Sequence, residues 1–151
     1  MQHPLEITRT SRRFLQNFLE NHSLEELNKV PPGFKNNIIW NIAHVVVTQQ
    51  VLMYKLSGLP LQVSDDMEAT YQKGTKTERP ATQEEVSLIK ELLFTTIDQT
   101  ENDLNNGVFK NFNEYPTSTG FDLKSIEDAL HFNNFHEGLH IGYILALRKS
   151  L

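Results

Sequence analysis

The stretch FHEGLH, residues 135–140, contains H-E-x-x-H, the pattern in which zinc metalloproteases bind metal through two histidines and activate water with the glutamate. On a helix, His136 and His140 lie on the same face, ~6 Å apart along the axis. Tilting of the rings brings two nitrogens to the ~3.3 Å separation that a tetrahedral metal requires. Glu137 is only a weak candidate for a general base, because it lies ~100° around the helix from His136. A histidine pair at this spacing also occurs by chance or as hydrogen-bonded core groups.

A third ligand is expected from upstream. In several zincins this ligand follows the motif, whereas the residues after His140 read IGYILALRKSL and contain no His, Asp or Glu. This difference argues against a peptidase. A ferritin-like di-iron site is disfavoured too, because Glu137-x-x-His140 is a single E-x-x-H and His44 has Asn41 three residues before it.

His44 is the upstream candidate. It lies in IIWNIAHVVVTQQ on a helical stripe with Trp40, Val47 and Val51, which predicts that its ring is buried. A buried histidine needs a partner for each ring nitrogen. Either a neighbouring side chain supplies that partner, or His44 joins the pair on the last helix. The remaining mid-chain and terminal histidines are expected outside the site: His3, His22 and His131.

Helical periodicity dominates the chain, and no alternating run is long enough to predict a sheet. We expect an all-α, up-down four-helix bundle forming one domain over residues 1–151, with the site built from inward-facing side chains. The expected helices cover about residues 5–20, 35–57, 82–107 and 125–148, with a short helical turn after Ser23. Two long loops, 58–81 and 107–124, either shape a binding site or decorate the surface.

Composition excludes several classes of function. The 151 residues include no cysteine, which rules out a thiolate nucleophile and a sulfur-rich metal site. The net charge of −5 disfavours nucleic acid as a partner, and the pair Arg12-Arg13 is expected on a solvated face. The longest apolar stretch is too short to span a membrane, so a cytoplasmic protein is expected.

The combination of WNIAHVVVTQQ, SGLP and HFNNFHEGLHIGYILALRK resembles the DinB-like family of metal-dependent bundles, the DinB/YfiT-like superfamily, over nearly the whole chain. The resemblance implies that His44, His136 and His140 bind a divalent metal with water in the open position. Zinc or nickel is implied first, with iron or manganese as alternatives. It also implies a homodimer. Relatives include S-transferases and isomerases that use low-molecular-weight thiols. They also include sulfoxide synthases, which have a second domain that this chain lacks and commonly a Glu two residues after the last histidine, where this chain has Gly142.

Two functions are therefore expected to compete. The first is a metal-dependent enzyme of the thiol S-transferase, isomerase or hydrolase type, in which Thr48 and Asn133 either orient ligands or make ordinary interhelical hydrogen bonds. The second is a non-catalytic, stress-related bundle that binds a metal or a small ligand. For the homodimer, we expect an outer face on the second helix made of Ile38, Ile42, Val45, Met53 and Leu56, unless these residues complete the core.

Overall fold

The computed structural model describes the backbone of residues 2–151 and the side chains of residues 4–151. Four long helices form a bundle, which confirms the all-α prediction. Within the described chain, the α-helices are α1 Gln2–Asn21, α2 Leu24–Asn28, α3 Ile38–Gln50, α4 Asp65–Tyr71, α5 Gln83–Asn105 and α6 Ile126–Arg148. The bundle helices are α1, α3, α5 and α6, and the short helices α2 and α4 lie in the connections.

The four-helix bundle is confirmed, but its helices do not alternate up and down as expected, because α1 and α6 run in one direction and α3 and α5 in the other. Both α1 and α3 pack against α5 and α6. Because α3 and α5 are parallel neighbours, the chain between them must return along the bundle, which accounts for the length of that connection. The contacts Thr8–Asn134 and Arg12–Glu137 show that α1 and α6 are parallel. The contacts Arg9–Glu101 and Glu20–Lys90 show that α1 and α5 are antiparallel. The contacts Asn41–His140 and His44–His136 show that α3 and α6 are antiparallel.

Local signals fix the ends of α3. The helix begins at Ile38, later than the expected start near residue 35, because the Asn37 side chain accepts a hydrogen bond from the Trp40 backbone amide at 2.7 Å. A π-helical turn, Val51–Lys55, continues the helix. Gly58 then ends it with φ of 70°, the left-handed conformation predicted for this position. The predicted capping boxes are present at Ser23–Glu26 and Thr82–Glu85.

The two long connections carry structure that the sequence analysis did not predict. Residues 58–81 include α4, which Ser64 caps by accepting from the Met67 backbone amide, and α4 packs against α3. Residues 107–124 include a small antiparallel hairpin, in which β1, Tyr115–Pro116, pairs with β2, Asp122–Leu123. Residues of both segments lie beside the histidines.

Helix α3 is buried on nearly every side, because α5, α6 and the short helices α2 and α4 pack against it. Of the five apolar residues expected on its outer face, Ile38, Ile42, Val45 and Met53 are fully buried and Leu56 is half-buried. That expectation was wrong, because these residues complete the core. Although α3 is apolar, it has 13 residues, and no helix in residues 2–151 is long and apolar enough to cross a membrane.

Candidate metal centre

Three histidines from two neighbouring helices meet inside the bundle. His44 comes from α3, and His136 and His140 lie one turn apart on α6. The ring centroids are 5.2 Å apart for His44 and His136, 4.8 Å for His44 and His140, and 4.5 Å for His136 and His140. One nitrogen from each ring lies within 4.8 Å of the other two. The antiparallel packing of α3 and α6 thus brings together all three residues that the sequence analysis selected.

Hydrogen bonds orient two of the three rings. His44 Nδ1 lies 2.7 Å from the Tyr71 carbonyl oxygen, and His140 Nδ1 lies 2.9 Å from Asn41 Oδ1. Because these oxygens only accept, each Nδ1 carries the proton and donates, and each Nε2 keeps its lone pair. Such hydrogen bonds fix the tautomer of metal-binding histidines. Trp40 stacks on the His44 ring with a centroid distance of 4.6 Å and so also restricts its position.

Burial keeps the histidines neutral. Burial is the largest cause, and together with the neighbouring histidines it lowers the pKa of His136 to about 2 and that of His140 to about 4. Burial also lowers the pKa of His44. Because only a neutral imidazole can bind a metal, the donor set fits a divalent ion that accepts nitrogen ligands. The Nδ1 of His136 is buried with no hydrogen-bond partner among the described residues.

These pKa shifts predict that the metal-free protein loses stability in mild acid. An unfolded histidine binds a proton below about pH 6.5, whereas folded His136 and His140 stay neutral at pH 5. The unfolded state therefore binds more protons, and stability falls as the pH drops below 6.5, by ~2 kcal/mol per histidine at pH 5.

Urea unfolding of the metal-free protein with a chelator at pH 7 and pH 5 measures this loss of stability. His136→Asn should remove the contribution of His136, which is about half of the stability loss summed over His136 and His140. His131→Asn is the control, because His131 is exposed and lies on the same helix. An unchanged free energy between the two pH values would contradict the prediction.

A cavity of about 530 Å³ opens onto the three histidines. Its walls come from α3, α6, the segment around α4 and the turn of the β-hairpin. Apolar side chains including Val47, Val51 and Leu139 line one part, and the hydroxyl-bearing residues 117–119 line another. The Thr48 hydroxyl, also in the lining, lies 3.3 Å from His44 Nε2. The cavity could therefore accept a small molecule with both apolar and polar groups next to the histidines.

Glu137 does not join the histidines. Its carboxylate is fully buried and accepts hydrogen bonds from Arg12 Nη2 at 2.8 Å, Arg12 Nε at 3.0 Å and Asn133 Nδ2 at 2.9 Å. The expectation that Arg12 lies on a solvated face was wrong, because its side chain is completely buried in this ion pair. Asn133 contacts Glu137 rather than a histidine. The glutamate that would activate water in an H-E-x-x-H peptidase is thus held by a cation.

The sequence analysis missed two groups that hold the histidines, the Asn41 side chain and the Tyr71 carbonyl, and it misplaced Arg12. Asn41 could have been found, since it lies about one turn before His44 in the apolar first half of the helix. Of the other histidines, His131 lies outside the cluster, as expected, and is exposed. His22 is half-buried, with Nδ1 3.0 Å from the Phe18 carbonyl oxygen. The His3 side chain lies outside the described residues.

A family model described as the DinB superfamily matches residues 7–144. This span includes most of every bundle helix and all three histidines of the cluster. No curated protein matches the chain by sequence.

Proposed function

This chain belongs to the DinB superfamily, and on that premise we propose that His44, His136 and His140 bind one divalent metal ion beside the cavity. The observation that carries the proposal is the group of three neutral imidazoles, one buried and two half-buried, of which two have their Nδ1 atoms engaged by oxygen acceptors. Zinc and nickel suit these ligands, and iron or manganese are alternatives. A metal with three protein ligands keeps a position open and lowers the pKa of a water or thiol bound there.

We propose further that the protein is a metal-dependent enzyme acting on a small molecule, of the thiol S-transferase, isomerase or hydrolase type. The cavity supports this proposal, because it brings a ligand-sized space to the histidines. The Thr48 hydroxyl is placed to orient a polar group near His44. Peptide cleavage is disfavoured, since Arg12 and Asn133 occupy the Glu137 carboxylate.

The alternative is a non-catalytic bundle in which the metal only links α3 to α6. Both functions predict metal-dependent thermal stabilisation, because a ligand that binds the folded state stabilises it. Only the enzyme predicts turnover when low-molecular-weight thiols are supplied with an electrophilic acceptor. Stabilisation by metal without turnover of any thiol or ester substrate would favour the non-catalytic bundle.

The metal proposal predicts one equivalent of divalent metal per chain. Protein purified without a histidine tag should contain it by elemental analysis, or take it up after chelation and dialysis against zinc or nickel. Titration of the metal-free protein should end at a ratio of one, because the described residues contain one group of three potential ligands. A chain that takes up no zinc, nickel, iron or manganese at micromolar concentration would refute the proposal.

We also propose a homodimer, formed through α6 rather than through the residues of α3 first expected. Phe135, Leu139 and Tyr143 follow one another at intervals of four and are 50%, 52% and 41% exposed. Beside them, Gly138 and Gly142 have no atoms within 4 Å of where a side chain would begin, so a second helix could approach closely. An apolar strip of this kind is typical of an interface between protein chains.

The dimer proposal predicts that Phe135→Glu produces a monomer. A charged side chain in an apolar interface loses its hydration, so dissociation should increase by at least about 100-fold. Light scattering coupled to size-exclusion chromatography measures the mass. Leu88→Glu on α5, where the native residue is 49% exposed, is the matched control and should leave the mass unchanged. A wild-type protein that elutes only as a monomer at micromolar concentration would refute the proposal.

A further inference from the structure

We infer that Arg12 is a positioning residue for the metal centre, acting through the residues next to two of the three histidines. The inference rests on the proposed metal site and adds a role for α1, which contributes no histidine to it. Arg12 reaches from α1 to Glu137, the neighbour of His136, and to the backbone carbonyl of Val45, the neighbour of His44. A single guanidinium therefore connects the two helices that carry the cluster.

The contacts to α6 are the stronger ones. Arg12 donates to both oxygens of Glu137, at distances of 2.8 to 3.1 Å, and Asn133 donates to the same carboxylate at 2.9 Å. Asn133 and Glu137 lie one turn apart on α6, and His136 lies between them in the sequence. Charge-assisted, two-pronged bonds of this type restrict both distance and orientation. They fix the rotation of α6 about its axis at the turn where His136 points into the cluster.

The contact to α3 is longer, 3.4 Å from Arg12 Nη2 to the Val45 carbonyl oxygen. It links the same guanidinium to the turn of α3 that carries His44. Unlike His44 and His140, His136 has no hydrogen-bond partner for its Nδ1 among the described residues. The orientation of its ring must therefore depend on the backbone of its own turn, which the Arg12–Glu137 pair holds.

A purely structural role is the competing explanation. A buried ion pair is costly to desolvate, and replacing both partners with apolar residues of similar size is often neutral or stabilising. If Arg12 and Glu137 served stability alone, such a replacement would preserve the metal site. If they position His136, the apolar pair keeps the fold but loses the directional restraint. Residues that orient metal ligands typically change metal affinity by ~10–100-fold when replaced.

The test is the double variant Arg12→Met with Glu137→Met, compared with the wild type and with Arg9→Met. Arg9 is the matched control because it lies on the same helix, makes ion pairs with Asp98 and Glu101 of α5, and touches neither histidine helix in those pairs. Zinc affinity is measured by competition with a chromophoric chelator. Long-range ¹H–¹⁵N spectra of the metal-free protein report the tautomer and environment of His136, independently of any metal.

We expect the double variant to unfold at a temperature similar to that of the wild type, to bind zinc ~10–100-fold more weakly, and to show shifted or doubled His136 ring signals. Arg9→Met should match the wild type in both readouts. Unchanged His136 signals would overturn the inference, whether or not the zinc affinity falls. If the wild type binds no metal, the proposed function fails, and the His136 signals alone decide the role of Arg12. Should the double variant not fold, Arg12→Lys, which keeps a cation beside Glu137 but cannot make the two-pronged contact, carries the same readouts and the same criteria.

Discussion

Replacing His140 with alanine is expected to lower the affinity for zinc or nickel by more than about 100-fold, beyond the range typical of residues that only orient a ligand. His140 supplies one of three nitrogens that lie within 4.8 Å of one another. With that nitrogen absent, two imidazoles from different helices remain, and no fourth His, Cys, Asp or Glu of the described residues joins them. The Asn41 Oδ1 atom also loses the hydrogen bond that it accepts from His140.

Competition with a chromophoric chelator measures this loss, and circular dichroism shows whether the variant remains helical. His131→Ala is the control, because His131 is exposed and lies on the same helix. It should bind metal as the wild type does. If His140→Ala retains the wild-type affinity, the metal binds elsewhere, and the three histidines would have to be explained as a neutral cluster within the core.

The parts of this molecule that could be predicted from the sequence are those governed by local rules. Helical periodicity identified the four bundle helices, and side-chain capping identified the starts of α2 and α5. The histidines could be selected for the same reason. Residues four apart on α6 must share a face, and His44 lies among apolar residues that bury it. Only the packing of α3 against α6 had to be assumed.

Arg12 shows where this reasoning failed. The pair Arg12-Arg13 was interpreted as part of a solvated face because it lies among helix-forming residues. The spacing held a contrary signal, since Leu5, Thr8, Arg12, Leu15 and Leu19 recur at three and four residues and are all buried. Arg12 thus occupies a core position of α1. Its partner Glu137 lies 125 residues away, and no local rule connects them.

Other features depend on groups without a sequence signature. The acceptor for His44 is the backbone carbonyl of Tyr71, which any residue at that position could supply. Its location depends on α4, whose signal was present but weak: Ser64 followed by Asp65 and Asp66 at the start of a helical turn. The outer face expected on α3 was wrong for a related reason, because the burial of that helix on nearly every side is a property of the whole bundle.

Glu137→Gln is expected to destabilise the protein by ~3–5 kcal/mol, the usual cost of removing one partner from a buried ion pair. Arg12 and Glu137 are both fully buried, so solvent cannot compensate the guanidinium when the carboxylate is replaced. Arg12 Nη1 already lacks a partner among the described residues. For a chain of this length, the loss corresponds to a decrease in Tm of roughly 6–20 °C. Urea unfolding of the metal-free protein measures it without interference from metal binding.

Glu101→Gln is the matched control for this substitution. Glu101 also pairs with an arginine of α1, but its side chain is 33% exposed, so the expected loss is below ~1 kcal/mol. A loss for Glu137→Gln as small as that of the control would contradict the buried ion pair.

The same unfolding measurement prevents a loss of stability in Glu137→Gln from being mistaken for a loss of catalysis. Glu137 is the residue that H-E-x-x-H peptidases use as a base, so a Glu137→Gln variant with reduced turnover could be taken for a catalytic mutant. If the loss of activity disappears at a temperature where both proteins are fully folded and metal-loaded, Glu137 supports the fold and takes no part in proton transfer.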